Sequence, residues 1–183
     1  EPLSLDEAFL DVTDSVNEEN SAADIARELK DRVHSELGLT ISVGMSASKS
    51  VAKISSDMDK PDGLTVVAPG TEQEFLAPLA VDKLWGVGPK TSERLAAVEV
   101  LTVGDLAAKS EEWLQANFGR MGSHMKRMAL GEDQSRVVVS RERKSVSAET
   151  TLATDSGDPD ALQDLVRRLS DRVGSHLERR GTL

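Results

Sequence analysis

The stretch TISVGMSASKSVAKISSDMDKPDGLTVV, residues 40–67, carries the reading on which the fold turns. Residues 40–44 are few and include β-branched side chains, so they read as a strand. Over 48–58, Val51, Ile54 and Met58 recur at helical spacing. Residues 63–67 are a second short strand. Upstream, Ser21 opens a helix to about Leu37, with Asp24 where a capping box places its acid. Ala22, Ile25, Ala26, Leu29, Val33 and Leu37 form its apolar stripe, and Gly38 stops it. Nearer the start, LSLDEAFLDV (residues 3–12) reads as strand, turn, strand, with Leu10 and Val12 alternating against Asp11 and Thr13. Strands alternating with helices give α/β-like layering, helices covering a sheet.

After Pro69 the pattern changes to short helices punctuated by glycine, expected over 71–76, 81–85, 89–98, 103–108, 111–118 and 121–130. The chain as a whole is therefore α+β. The string GSHM at residues 122–125 resembles a cloning remnant. Met121, Met125 and Met128 carry a helical pattern straight through it, so it belongs to the domain. Residues 132–140 read as a connector and 141–154 as a strand. A last helix opens at Asp158-Pro159, with Leu162, Leu165, Val166, Leu169, Val173 and Leu177 as its buried face and Gly181 as its stop. One strand and one helix cannot bury a core unaided, so this last piece reads as cut short.

At 183 residues the chain has room for one large domain or two to three small ones. It has no cysteine, which excludes disulfides and thiolate metal sites. No apolar run reaches membrane-spanning length and no signal peptide is recognisable, so a cytoplasmic protein is expected. The net charge of −10 argues against a generally basic nucleic-acid binder. Its distribution is uneven. Residues 1–37 hold eleven acids against Arg27, Lys30 and Arg32, a net of −8, whereas residues 126–144 carry +3. Charge alone reads best as ordinary solvated surface.

Three stretches carry chemistry. Asp6 and Glu7 are adjacent, and adjacent residues on a flat strand point to opposite faces. They serve one ion only if the backbone bends between them. A hard divalent cation takes oxygen ligands, often one or two carboxylates plus substrate phosphates; an acidic turn is the plainer alternative. In the second stretch, Lys49 and Lys53 read at least as well as a solvated helix face. Lys60, before Pro61, falls beyond the helix end, where its ammonium can meet a phosphate. The third is LWGVGPKTSERL, residues 84–95. Gly86, Val87 and Gly88 turn the chain and Pro89 starts a helix, so exposed amides, with Lys90 and Thr91, suit a phosphate without reading a base. His34, His124 and His176 lack ligand spacing, and Trp85 and Trp113 read as core anchors.

In this order and spacing, the three stretches resemble the Y-family DNA polymerases of the DinB (polymerase IV) type. LSLDEAFLDV resembles that family's S-x-D-E-A-[YF]-L-D motif. VGMSASKSVAKISSDMDKPDG resembles the palm segment after it, and WGVGPKTSERL the helix–hairpin–helix of the thumb. FGRMGSHMKRMALGED resembles the last thumb helix and RKSVSAETTL the entry to the little finger. The resemblance implies translesion, template-directed nucleotidyl transfer from dNTP to a primer 3′-hydroxyl, with two Mg²⁺ ions in the complete enzyme. It assigns Asp6 and Glu7 as metal ligands and catalytic acids, and Lys60 as the dNTP-contacting lysine. Gly86, Val87, Gly88, Lys90 and Thr91 would meet a DNA backbone phosphate, with a possible monovalent cation. Arg141, Arg143, Lys144 and Ser145 would meet template-strand phosphates. The implied division is palm to residue 70, thumb over 71–131, linker over 132–140 and truncated little finger over 141–183. The family's other metal-binding aspartate and its fingers would precede Glu1, so this stretch alone is expected to be inactive. A sliding-clamp contact would lie beyond Leu183. Open strand edges, in the palm and near Lys144, are expected to promote self-association. Two competing readings are a non-enzymatic DNA-binding helix–hairpin–helix module and a nucleotide-cyclising enzyme with a related palm; the DNA-binding hairpin weighs against the second.

Overall fold

The computed structural model describes residues 1–140 and 144–179, which cluster into two compact units, Glu1–Val139 and Ser140–Leu183. In the first unit, helix α1 (Ala22–Leu37) begins with the expected capping box: the Ser21 hydroxyl accepts from the Asp24 amide, and the Asp24 carboxylate accepts from the Ser21 amide. Gly38 ends it in the left-handed conformation, φ 68°. Strand β1 (Val43–Met45), helix α2 (Lys49–Ser56) and strand β2 (Leu64–Val66) form a parallel βαβ unit with Val43 opposite Leu64. Ser48 caps α2 by accepting from the Val51 amide. Gly44 is required by the packing of α2 on β1. A Cβ there would lie 2.1 Å from the Ala52 carbonyl oxygen and 2.3 Å from the Ser55 Oγ.

Five short helices follow: α3 (Glu72–Leu76), α4 (Pro89–Ala96), α5 (Val103–Ala108), α6 (Glu111–Phe118) and α7 (Arg120–Ala129), with a 3-10 turn at Val81–Lys83. The expected helical series is thus present almost to the residue. GSHM lies inside α7, where Gly122 and Met125 are buried and Met121 is exposed. One hydrophobic core joins Val51, Ile54 and Val67 of the βαβ unit to Leu76, Leu84, Leu106 and Met128 of the helical region. Residue 70 is therefore crossed by continuous packing.

Three expectations of local structure are corrected. Residues 3–13 do not form two strands. A single antiparallel bridge, Pro2 to Ala8, closes the bend, and Pro2 has no amide to extend the ladder. Asp11 then takes the Thr13 amide and hydroxyl on its Oδ1, which turns the chain into a 3-10 helix, Thr13–Ser15. Residues 144–154 form no strand, because none of the described residues pairs with them; among the described residues there is accordingly no open strand edge near Lys144, and residues 141–143 of the expected strand lie outside them. Finally, α8 (Pro159–Glu178), capped by Asp158, has no buried residue. Leu165, Leu169, Val173 and Leu177 are half-buried, and Leu162 and Val166 are exposed. Gly181 lies outside the described residues.

Candidate functional site

The bend at the start of the chain is tight. The Leu3 and Ser4 amides both donate to the Glu7 carbonyl (2.8 and 3.2 Å), and the Phe9 amide donates to the Glu1 carbonyl (2.8 Å). Leu5 is fully exposed at the tip. The backbone reversal brings the two carboxylates to one hydroxyl: Ser4 Oγ donates to Asp6 Oδ1 at 2.7 Å, and Glu7 Oε2 lies 3.4 Å from the same oxygen. Adjacent residues that a flat strand would have sent to opposite faces therefore converge. The Ser4 hydroxyl, then Asp6's own backbone amide, and last the charges of Lys60 and Lys53, hold the Asp6 carboxyl below its ordinary value, so it is ionised at neutral pH.

Helix α2 supplies the other wall. Lys53 Nζ pairs with Glu7 Oε1 at 3.0 Å and with Asp57 Oδ2 at 2.7 Å. Burial pushes the Lys53 pKa down, but its bonds to Asp57 and Glu7 outweigh this and leave it raised. Asp57 Oδ1 in turn pairs with Lys60 Nζ at 2.6 Å. Burial pushes Asp57 up, and the two lysines more than offset it. Glu7, Lys53, Asp57 and Lys60 thus form a continuous chain of alternating charge beside Asp6. Lys60 lies past the end of α2, as its place before Pro61 implies.

Neither helix lysine is solvated. The Lys49 side chain is 9% exposed and the Lys53 side chain 19%. Lys49 Nζ bonds Glu1 Oε2 at 2.6 Å and sits 4.8 Å from the Phe9 ring centroid. It also donates to the Arg136 carbonyl, and the Val138 amide donates to the same Glu1 oxygen. Reading Lys49 and Lys53 as a solvated face is therefore corrected. Ser4 and Asp57 were not singled out from the sequence. The i, i+4 spacing of Lys53 and Asp57 and the i, i+3 spacing of Asp57 and Lys60 were the available signals.

Whether these residues suit a divalent cation depends on their donors. Asp6 and Glu7 offer hard carboxylate oxygens on the same side of the bend, which fits one hard cation completed by phosphate and water. Among the described residues, no group of three or more acidic, histidine or cysteine side chains gathers.

The helix–hairpin–helix is built as expected. An antiparallel bridge between Ala80 and Thr102 closes it, with the Val81 amide donating to Leu101 and the Val103 amide to Leu79, each at 2.9 Å. Gly86 has φ +93°, the left-handed region that favours glycine. Val87 is buried in the core, and Gly88 caps α4, its carbonyl accepting from the Thr91 and Ser92 amides. A Cβ at Gly88 would meet nothing within 4 Å. Gly88 has φ −84°, so neither conformation nor internal packing demands a glycine there. Lys90 is exposed and Thr91 half-buried. Trp85 is 40% exposed, with its ring 6.0 Å from that of Phe9. It is a lid over Phe9 and not the core anchor expected. In the second unit Lys144 and Ser145 are exposed, and Arg141 and Arg143 lie outside the described residues. No helix among the described residues is long and apolar enough to cross a membrane.

Comparison with known proteins agrees with this geometry. Residues 1–57 match the impB/mucB/samB family, residues 69–100 the IMS family HHH motif, and residues 143–183 the impB/mucB/samB C-terminal domain. A protein named DNA polymerase IV from Alkalilimnicola ehrlichii is 45% identical over 99% of this chain and 51% of its own length. One from Legionella pneumophila is 41% identical over 100% of this chain and 52% of its own. The chain spans about half the length of the curated relatives it matches. A solved Y-family DNA polymerase chimera superposes with a TM-score of 0.69 at 31% identity, over 80% of this chain and 42% of that one. DinB from Sulfolobus solfataricus gives 0.62 at 30% identity, over 70% and 38%. With the paired acids, the lysine beyond α2 and the glycine hairpin in one continuous unit, these matches settle the family: the chain belongs to the Y-family DNA polymerases, in their DinB-type branch.

Proposed function

We propose that this chain carries one half of a translesion DNA polymerase site: the acid pair, the triphosphate lysine and the hairpin that grips DNA. The observation that carries the reading is the convergence of Asp6 and Glu7 on one hydroxyl, with Lys60 tied to the same cluster through Lys53 and Asp57. The reaction joins the primer 3′-oxygen to the α-phosphorus of a dNTP, releasing pyrophosphate and the hydroxyl proton. When bound, Mg²⁺ lowers the pKa of the attacking hydroxyl and neutralises the leaving phosphates. Asp6 and Glu7 are the residues that would hold it. Lys53 holds the Glu7 carboxylate by Oε1, which leaves Oε2 on the side of the Ser4 hydroxyl that Asp6 shares. Lys60 meets the triphosphate as a point charge.

In this reading residues 1–70 act as palm, 71–131 as thumb, 132–140 as linker and 141–183 as the beginning of the little finger. Primer-template DNA is the partner of the hairpin. Gly86 and Gly88, exposed on either side of the buried Val87, let a phosphate approach the backbone, with Lys90 and Thr91 beside it and a monovalent cation able to bridge. Lys144 and Ser145 extend the contact to the template strand. A solved insertion ternary complex of a related DNA polymerase, with a TM-score of 0.62 at 31% identity, supports this choice of ligands.

The test is a graft. Residues 1–183 replace the matching half of the Alkalilimnicola relative, and primer extension is measured with Mg²⁺. The chimera should extend primers, and Asp6→Asn should lower kcat by at least about 100-fold while DNA affinity stays within about twofold. An Asp6→Asn chimera that polymerises normally would leave the DNA-binding module as the better reading.

A further inference from the structure

The carboxylate of Asp57 is shared between two lysines of different standing. Lys53 is committed, with Asp57 Oδ2 on one side, Glu7 Oε1 on the other, and little exposure. Lys60 is half-exposed, and among the described residues Asp57 is its one ion-pair partner. The backbone around Lys60 is held on both sides. Lys30 Nζ donates to the Ile41 carbonyl (2.8 Å), the Asp62 carbonyl (2.8 Å) and Asp62 Oδ1 (2.5 Å), which engages all three ammonium protons. The Gly63 amide donates to Ser42 Oγ, and Thr65 Oγ1 donates to Asp59 Oδ2. The main chain cannot carry Lys60 elsewhere, so the choice of partner is left to its side chain.

We propose that Asp57 is an internal competitor for Lys60, holding the ammonium that the triphosphate must claim and thereby setting the nucleotide affinity below what the lysine alone would give. This rests on the reading of Lys60 as the triphosphate lysine. Each binding event exchanges one carboxylate partner for a phosphate partner. Asp57 remains neutralised throughout, because Lys53 stays on its other oxygen. The exchange therefore strands no bare charge beside Asp6 and Glu7. The pair is half-exposed, so the competition is modest, and removing it should tighten phosphate binding about two- to fivefold at low salt.

The experiment titrates this chain with inorganic tripolyphosphate by calorimetry, at fixed low salt, in wild type, Asp57→Asn, Lys60→Ala, the double variant and Asp82→Asn. Asp82 lines the same cleft as Asp57 and controls for loss of a nearby negative charge. Asp57→Asn should bind more tightly than Asp82→Asn, Lys60→Ala should bind more weakly than wild type, and the double variant should keep none of the gain. If Lys60→Ala weakens binding but Asp57→Asn is no tighter than Asp82→Asn, the competitor role is wrong and the Lys60 reading stands. If the gain persists without Lys60, the competition is not for this lysine and the proposal fails. If Lys60→Ala changes nothing, the triphosphate reading of Lys60 fails and the proposal with it. Should Asp57→Asn unfold, Lys60 acetylation by an amine-reactive ester, read by peptide mass spectrometry, supplies the test in the wild type. Tripolyphosphate should then leave the rate low, and 0.5 M salt, about a 4 Å screening length, should raise it; a salt-insensitive rate equal to that of Lys90 overturns the proposal.

Discussion

Lys126 shows how much one half-buried lysine holds. Its Nζ donates to the Ala107 carbonyl and, at 2.6 Å, to the Lys109 carbonyl, closing the end of α5 from α7. Lys126→Met keeps the stem and removes both bonds. It should destabilise the chain by about 2 kcal/mol in urea unfolding, since charged hydrogen bonds contribute about 1.5–3 kcal/mol each and the carbonyls regain some water. A loss below about 0.5 kcal/mol would show those carbonyls already solvated. The hairpin glycines separate conformation from contact. Gly86→Ala forces alanine to φ +93° and should cost about 1 kcal/mol or more. Gly88→Ala meets no atom and no strained φ, so stability should stay within about 0.5 kcal/mol while DNA affinity falls. Unchanged DNA binding in Gly88→Ala would remove the hairpin from the interface.

Helix ends carry the acid sensitivity of the elements. In α5 the Asp105 carboxylate accepts the Thr102 and Leu101 amides, which holds it below its ordinary value of 3.8. In α1 the Ser21 hydroxyl and amide hold Asp24 down likewise. A pKa depressed by folding gives stability that is complete above the unfolded value and is lost as pH falls through the folded one. The melting temperature should therefore be flat near neutrality and drop below about pH 4. Asp105→Asn should lower it at pH 7 and flatten part of the acid slope. An acid slope unaltered by Asp105→Asn would place the titration elsewhere. Two caps were read from the sequence, Ser21 with Asp24 and Asp158 before Pro159, because capping is decided by near neighbours; those at Ser48 and Thr102 were not singled out. Residues 3–13 and 144–154 were misjudged, because a strand exists only with a partner and β-propensity does not reveal one.

For the whole molecule, the described residues contain a two-stranded parallel sheet in which neither strand has a second neighbour. Open edges of this kind favour pairing between chains, so sedimentation should show concentration-dependent association; a monomer at all concentrations would mean that the edges are shielded. Primer extension by this 183-residue chain alone should yield no product, since Asp6 and Glu7 gather no third carboxylate among the described residues. DNA binding should persist weakly and fall steeply with salt, because the proposed contacts are to phosphate. Robust synthesis, or salt-independent binding, would contradict these two expectations in turn.

Order along the chain was enough to recognise the βαβ unit, the series of short helices, the glycine hairpin and the family, because each depends on periodicity, capping or local turn chemistry. The position of Lys60 past the helix end followed from Pro61 in the same way. Four things waited for packing across long separations. Ser4 draws Asp6 and Glu7 together, since a bend sets side-chain direction and residue type does not. Lys53 faces Glu7 from α2, forty-six positions away in sequence, and Lys49 turns inward to Glu1. Trp85 lies over Phe9 while half-open to water. Lastly, α8 buries its apolar stripe only in part, leaving Leu162 and Val166 exposed, because burial needs an opposing surface, and a helix's own sequence cannot say whether one is there.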